Sequence, residues 1–231
     1  MIIGILQPSY LPWLGYFEQI KRCDVFVIYD TVQYDKGGWR NRNRIKTPSG
    51  PLWLTVPVLL KKKNFPIIRE VEINRSEAWA TRHLKTLAQY YSNAPHYAGA
   101  IGDLERILLS GHRFLLDLNL DIIAWMSAQL DITTRIVLAS DLVVDGDRES
   151  RIINIVKQLG GKTFYEGAAG RNYIDTGFFR HEGVEVVFQD YAHPVYPQLH
   201  GEFVSHLSAI DLLFNCGPQS AAILADGGLK T

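Results

Sequence analysis

IIGILQPSYLPWLGYFEQIKRCDVFVIYD, residues 2–30, decides the fold class. Ile2 to Leu6 and Val25 to Tyr29 are short apolar runs of the kind that fill strands buried on both faces, as in a parallel sheet. Between them, Leu14, Phe17 and Ile20 recur at helical spacing from Trp13 to Arg22, and Lys21 and Arg22 suit the negative end of a helix dipole. Strand, loop, helix and strand make one right-handed βαβ unit.

Outward from that unit the pattern repeats. Ile132 to Ala139, Thr163 to Tyr165 and Val184 to Phe188 have strand composition, and Arg148 to Leu159 reads as a helix stopped by Gly160-Gly161. The middle reads as helical: Ser76 is a candidate N-cap for a helix reaching Tyr91, Pro95 opens a second to Gly111, and Phe114 to Leu130 forms a third. Lys36 to Pro51 reads as irregular. Trp53 to Val58 and Ile67 to Ile73 read as strands joined by the loop Lys61-Lys62-Lys63-Asn64. Ser205 to Asn215 and Pro218 to Ala225 read as closing helices. The expectation is a three-layer α/β fold with a mostly parallel sheet, one domain over 1–231 with a helical insertion at about 76–131.

Charge and composition exclude several classes. The 24 basic and 24 acidic residues balance, which argues against binding driven by phosphate neutralisation over a broad basic face. No basic leader precedes the apolar start, and the longest apolar stretch is interrupted by Asp117, Asn119 and Asp121, so no membrane insertion is expected. Two isolated cysteines suit a reducing compartment, and a cytoplasmic location follows. No His, Asp or Glu cluster has ligand spacing, so no metal held by side chains is expected.

Four stretches carry the candidate chemistry. In open parallel sheets ligands bind beyond the carboxyl ends of the strands, where QPSYLPWLGYF (7–17) lies. Pro8 and Pro12 stiffen it, so Gln7, Tyr10 and Tyr16 are candidates to face a ligand, against the plainer reading that the aromatics cap the core edge. GGWRNRNR (37–44) offers Trp39, Arg42, Asn43 and Arg44; alternate arginines share a face if the segment is extended, and guanidinium groups suit phosphate or carboxylate. A solvated edge with arginine pairs to Asp30 or Asp35 competes with that reading. YEGAAGRNY (165–173) places Gly167 and Gly170 where a phosphate could approach backbone amides, with Arg171 beside them. QDYAHPVYPQ (189–198) offers His193 as general base, Asp190 to orient it, and Tyr196 in the same stiff loop, although a structural hydrogen bond accounts for a single histidine equally simply. Cys216, before Gly217-Pro218, is either a nucleophile or a small core residue.

QPSYLPWLGYF, WRNRNRIK (39–46), WLTVPV (53–58), YEGAAGRNYID (165–175), YAHPVYPQ (191–198) and LSAIDLLFNCG (207–217) together resemble the WbqC-like family of bacterial proteins, from Met1 to about Ala225. That resemblance implies a place in O-antigen or other surface-polysaccharide biosynthesis and transfer of a small aminoacyl group, such as glycine, or an acyl group to a sugar-linked acceptor. The first unit is also distantly similar to the HIGH-motif nucleotidylyltransferases and adenylate-forming ligases, which implies a HUP/nucleotidyltransferase-like sheet. Trp13-Leu14-Gly15-Tyr16 stands at the motif, keeping its glycine and lacking both histidines.

The leading expectation is therefore an aminoacyl or acyl transferase with His193 as base, and with Arg42, Arg44 and Arg171 holding an anionic portion such as the diphosphate of a nucleotide sugar. The donors left open are ATP with magnesium, an activated acyl or aminoacyl compound, or an aminoacyl-tRNA, the one nucleic-acid partner retained. The alternatives are nucleotidyl transfer or adenylation at a degenerate HIGH site, and a non-catalytic nucleotide-sugar-binding protein.

Overall fold

The computed structural model describes residues 1–60, 65–143 and 145–227; the anticipated loop Lys61-Lys62-Lys63-Asn64 lies outside them. In chain order, β1 (Ile2–Leu6), α1 (Leu14–Arg22) and β2 (Val25–Ile28) form the expected βαβ unit. A hairpin of β3 (Arg42–Thr47) and β4 (Gly50–Thr55) follows, then the short pair β5 (Val58–Leu59) and β6 (Glu72–Ile73). Three helices, α2 (Trp79–Tyr91), α3 (Tyr97–Leu109) and α4 (Leu115–Gln129), lead to β7 (Arg135–Leu138). The chain continues through α5 (Arg148–Gln158), β8 (Thr163–Glu166), α6 (Thr176–His181), β9 (Glu185–Phe188), α7 (Ile210–Cys216) and α8 (Ser220–Gly227).

β1, β2, β7, β8 and β9 form one five-stranded sheet, parallel throughout, in the order β7-β2-β1-β8-β9. Numbered by their appearance in the sheet, that is third, second, first, fourth, fifth. The order reverses between β1 and β8, and a crevice beyond their carboxyl ends is where such sheets take ligands. Side chains alternate across the sheet. Ile3, Ile5, Val25, Val27 and Phe164 pack on one face against Ile153, Val156 and Phe179 of α5 and α6. On the other face Phe26 and Ile28 join Leu14, Phe17 and Ile20 of α1 in a larger core with Leu104, Ile122, Met126 and Phe214 from the helical section and α7. Helices thus cover both sides, giving the expected three-layer α/β architecture. Gly4 leaves room for side chains at the start of the neighbouring strand: a Cβ there would lie 2.6 Å from Cys23 Sγ and 2.9 Å from the ring of Phe26, its partner in β2.

Four local expectations need correction. Residues 42–47 are strand where irregular chain was expected, because Asn43 and Ile45 bury one face while Arg42 and Arg44 line the other; asparagine does not register as apolar in a period-two pattern. Ile67 to Ile73 is mostly not strand: Ile68–Glu70 is a 3-10 turn with only two strand residues after it. Ser76 does not cap α2; it bonds Asn74 Oδ1 at 2.7 Å, and the helix starts at Trp79. The helix expected from Ser205 starts at Ile210, since His206 takes a left-handed φ of 59°. α6, capped by Asp175 through the amides of Gly177 and Phe178, went unread in the sequence.

Candidate ligand-binding site

Three of the four stretches meet. Leu11, in the 7–17 loop, has a left-handed φ of 44°, and its carbonyl accepts a 2.7 Å bond from Asn43 Nδ2. The Tyr10 amide donates to Trp39 O at 3.1 Å, Ala209 N to Pro12 O at 2.8 Å, and Ser208 N to Arg44 O at 2.9 Å. The first-strand loop is therefore clamped between the β3 hairpin and the long connection that follows β9. Asn43 is a positioning residue within this clamp: it is buried, and its amide is spent on the backbone, away from any ligand.

Outward from the clamp stand the arginines. Arg42 lies over the Trp53 ring at 4.4 Å, and Arg44 lies 5.7 Å from Trp53 and 5.8 Å from Trp39. The two indoles are 5.3 Å apart, each 41% exposed. Stacking holds a guanidinium by its face and leaves its N–H edge free for a planar acceptor. Arg42 donates to Gly37 O and Arg44 to His206 O, at 3.3 Å for the latter, and the Nε atoms of both are buried without a partner.

Beside Arg44 is a cluster of rings. Trp13, the residue before α1, stacks with His206 at 5.1 Å and with His193 at 6.4 Å, and the imidazoles are 5.1 Å apart. Tyr191, Tyr196 and Phe203 close the far side. His193 Nδ1 meets Pro194 O at 2.9 Å, and Nε2 is buried without a partner. The orienting contact expected from Asp190 thus comes from main chain; Asp190 lines a groove of about 290 Å³ with Glu18, Arg22 and Tyr165. Burial lowers the His193 pKa, keeping the ring neutral. His206 is exposed, with Nδ1 2.7 Å from Ser205 Oγ, so it is the imidazole a solvent-borne ligand can reach.

Buried polar groups fix the connection from 189 to 209. Gln189 Nε2 donates to Glu18 at 2.6 Å and to Gly15 O at 2.8 Å, tying its start to α1. At its end Asp211 accepts from Tyr91 (2.7 Å), Tyr196 (3.0 Å) and Gln198 (2.8 Å). The Lys46 ammonium, also buried, donates to Gly201 O and Glu202 O. Tyr196 is a tether here.

The fourth stretch meets the start of the 189–198 stretch through Arg171. Arg171 donates to Gln189 O at 3.1 Å and stacks on Phe188, making no contact with the other arginines. Gly167 follows a buried Glu166 at the end of β8 and Gly170 packs against its side chain; the Glu166 carboxyl is raised to about 7, chiefly by burial. Gln7, half-buried just after β1, makes no side-chain hydrogen bond among the described residues. Tyr10 and Tyr16 were expected to face a pocket; both lie inside the core, Tyr10 bonded to His83 Nδ1 at 2.8 Å and Tyr16 packed on Phe17 and Phe26. Cys216 is buried, its thiol raised by burial and by Asp211, against a nucleophilic role. Trp53 and His206 were not singled out as site residues in the sequence. Trp53 sits in a strand-like run that gave no cue beyond its size, and His206 lies four residues before the true start of α7.

Among the described residues no helix is long and apolar enough to cross a membrane, and no group of three or more His, Cys, Asp or Glu could hold a metal ion. A three-layer α/β sheet carrying an arginine-indole-imidazole surface defines the class. By sequence the chain belongs to the WbqC-like protein family, whose model matches residues 7–223. It is 37% identical over 220 residues to "Uncharacterized protein Rv1507c" of Mycobacterium tuberculosis (strain ATCC 25618 / H37Rv), covering 94% of this chain and 95% of that protein. No solved structure matches.

Proposed function

We propose that the protein is a transferase that seats an anionic, sugar-linked acceptor against Arg42, Arg44 and their two indoles and moves a small aminoacyl or acyl group onto it. The observation that carries this reading is the direct bond from Arg44 to His206 O, which sets an anion holder beside a reachable base. The acceptor hydroxyl or amine attacks the acyl carbon of an activated donor. A new C–O or C–N bond forms, the bond to the leaving group breaks with its electron pair, and the imidazole takes the proton from the attacking atom. His206 fits the base role better than His193, whose free nitrogen is covered. Family membership supports a role in surface-polysaccharide biosynthesis.

His206→Ala should lower turnover about a hundredfold or more while leaving acceptor affinity within about twofold, as measured by transfer kinetics and calorimetry with a nucleotide-sugar acceptor panel. Undiminished turnover removes His206 from the reaction. A second reading, adenylation, draws on the strand order and the glycine turn after β8; magnesium- and ATP-dependent pyrophosphate release would favour it. Tight acceptor binding with no chemistry in any donor mixture would favour a binding protein.

A further inference from the structure

Arg40 has no role in the transfer reading, yet it continues the same series. Its side chain is 13% exposed, and its Nε is buried without a hydrogen-bond partner, as are those of Arg42 and Arg44. Arg40, Arg42 and Arg44 occupy alternate positions leading into and along β3, and Arg42 and Arg44 share Trp53, so the three cations follow one another in a row. One carboxylate answers them among the described residues: Asp35, with Oδ1 3.3 Å from Arg40 Nε and a side chain 51% exposed. Near the inner end, Tyr16 Oη is buried and unpartnered; burial raises its pKa, and the charge of Arg40 offsets only part of that rise. Burial lowers the Arg40 pKa, the mark of a cation withdrawn from water with too little counter-charge.

Three guanidinium groups against one half-exposed carboxylate leave a local surplus of two positive charges in a chain of zero net charge. Along the strand, Arg42 and Arg44 are separated by about 6.6 Å. A compact monophosphate engages one or two such edges; a chain of linked phosphates can engage them in series.

We propose that the row Arg40, Arg42 and Arg44 is a phosphoanhydride site, which takes the diphosphate of a diphosphate-linked sugar with Arg40 at its closed end. This rests on the acceptor reading and narrows it from any anionic sugar to one carrying two joined phosphates. The same diphosphate occurs in nucleotide sugars and in lipid-carrier-linked sugars.

The test is calorimetric titration of the intact protein with inorganic pyrophosphate, orthophosphate and sulfate at matched ionic strength. Pyrophosphate should bind at least about tenfold tighter than either other anion, and Arg40→Gln and Arg44→Gln should each remove about tenfold or more of that affinity. Arg44→Gln, at the solvent end, serves where Arg40→Gln fails to fold, and its melting temperature should stay near that of the parent. Equal affinity for the three anions, or full pyrophosphate binding by Arg44→Gln, overturns the proposal. A second arm compares a nucleoside-diphosphate sugar with a short-chain prenyl-diphosphate sugar, and the tighter ligand identifies the source; no binding of either sinks the site. Pyrophosphate binding without transfer in any mixture would sink the reaction and keep the site; transfer untouched by Arg40→Gln and Arg44→Gln would sink the site and keep the reaction.

Discussion

Glu166 and His83 pull stability in opposite directions with pH. Burial raises the Glu166 carboxyl from its ordinary 4.5 to about 7, so the folded chain holds this proton more tightly than the unfolded chain. That contribution is full below 4.5 and is lost as the pH climbs toward 7, a loss of order 3 kcal/mol at about 1.4 kcal/mol per unit. Glu166→Gln should raise the urea midpoint at pH 8 and leave it nearly unchanged at pH 5. His83 is the mirror case: burial lowers it from 6.5 to about 4, against the bond it makes to the Thr55 backbone. Its contribution is full above 6.5 and is lost as the pH falls toward 4, again on the order of 3 kcal/mol. His83→Gln keeps an acceptor for the Tyr10 hydroxyl without titrating, so unfolding curves between pH 4 and 6.5 should flatten. An unchanged acid limb would mean that His83 is protonated in the fold.

At the scale of elements, the connection from Gln189 to Ala209 behaves as a strap held at two ends. Its far end rests on Asp211, which accepts from two tyrosines and a glutamine and faces the buried Lys46 charge. Asp211→Asn turns an amide N–H₂ toward groups that donate and removes that counter-charge, a loss of about 2–4 kcal/mol. The check is a lower melting temperature together with new protease cleavage between Tyr196 and His206; a destabilised variant with the strap still protected would refute the tether. Elements with apolar periodicity were legible from the sequence: β1, α1, β2, α4, α5 and β9 stand where their patterns put them. β3 was not, because its inward face is built from Asn43 as well as Ile45 and its outward face from arginine. The site was half legible. Proline and aromatic content marked the right loops, while burial decided which side chains could meet a ligand. Tyr10, Tyr16 and Tyr196 are polar-tipped yet spend their hydroxyls or rings inward, and the sequence alone carries no record of that choice.

At the scale of the molecule, the first strand made is the middle strand of the sheet. β1 pairs with β2 and, across the whole helical section, with β8. During synthesis at the ribosome, Ile2–Leu6 can find β2 early, and β7 can join once the chain has passed Leu138. The other edge of β1 stays open until Glu166 has emerged, with an apolar strand and unpaired amides on display. A half-made chain of this protein is thus a natural client for a chaperone stationed at the exit tunnel, and the order of its strands sets how long that client must be shielded.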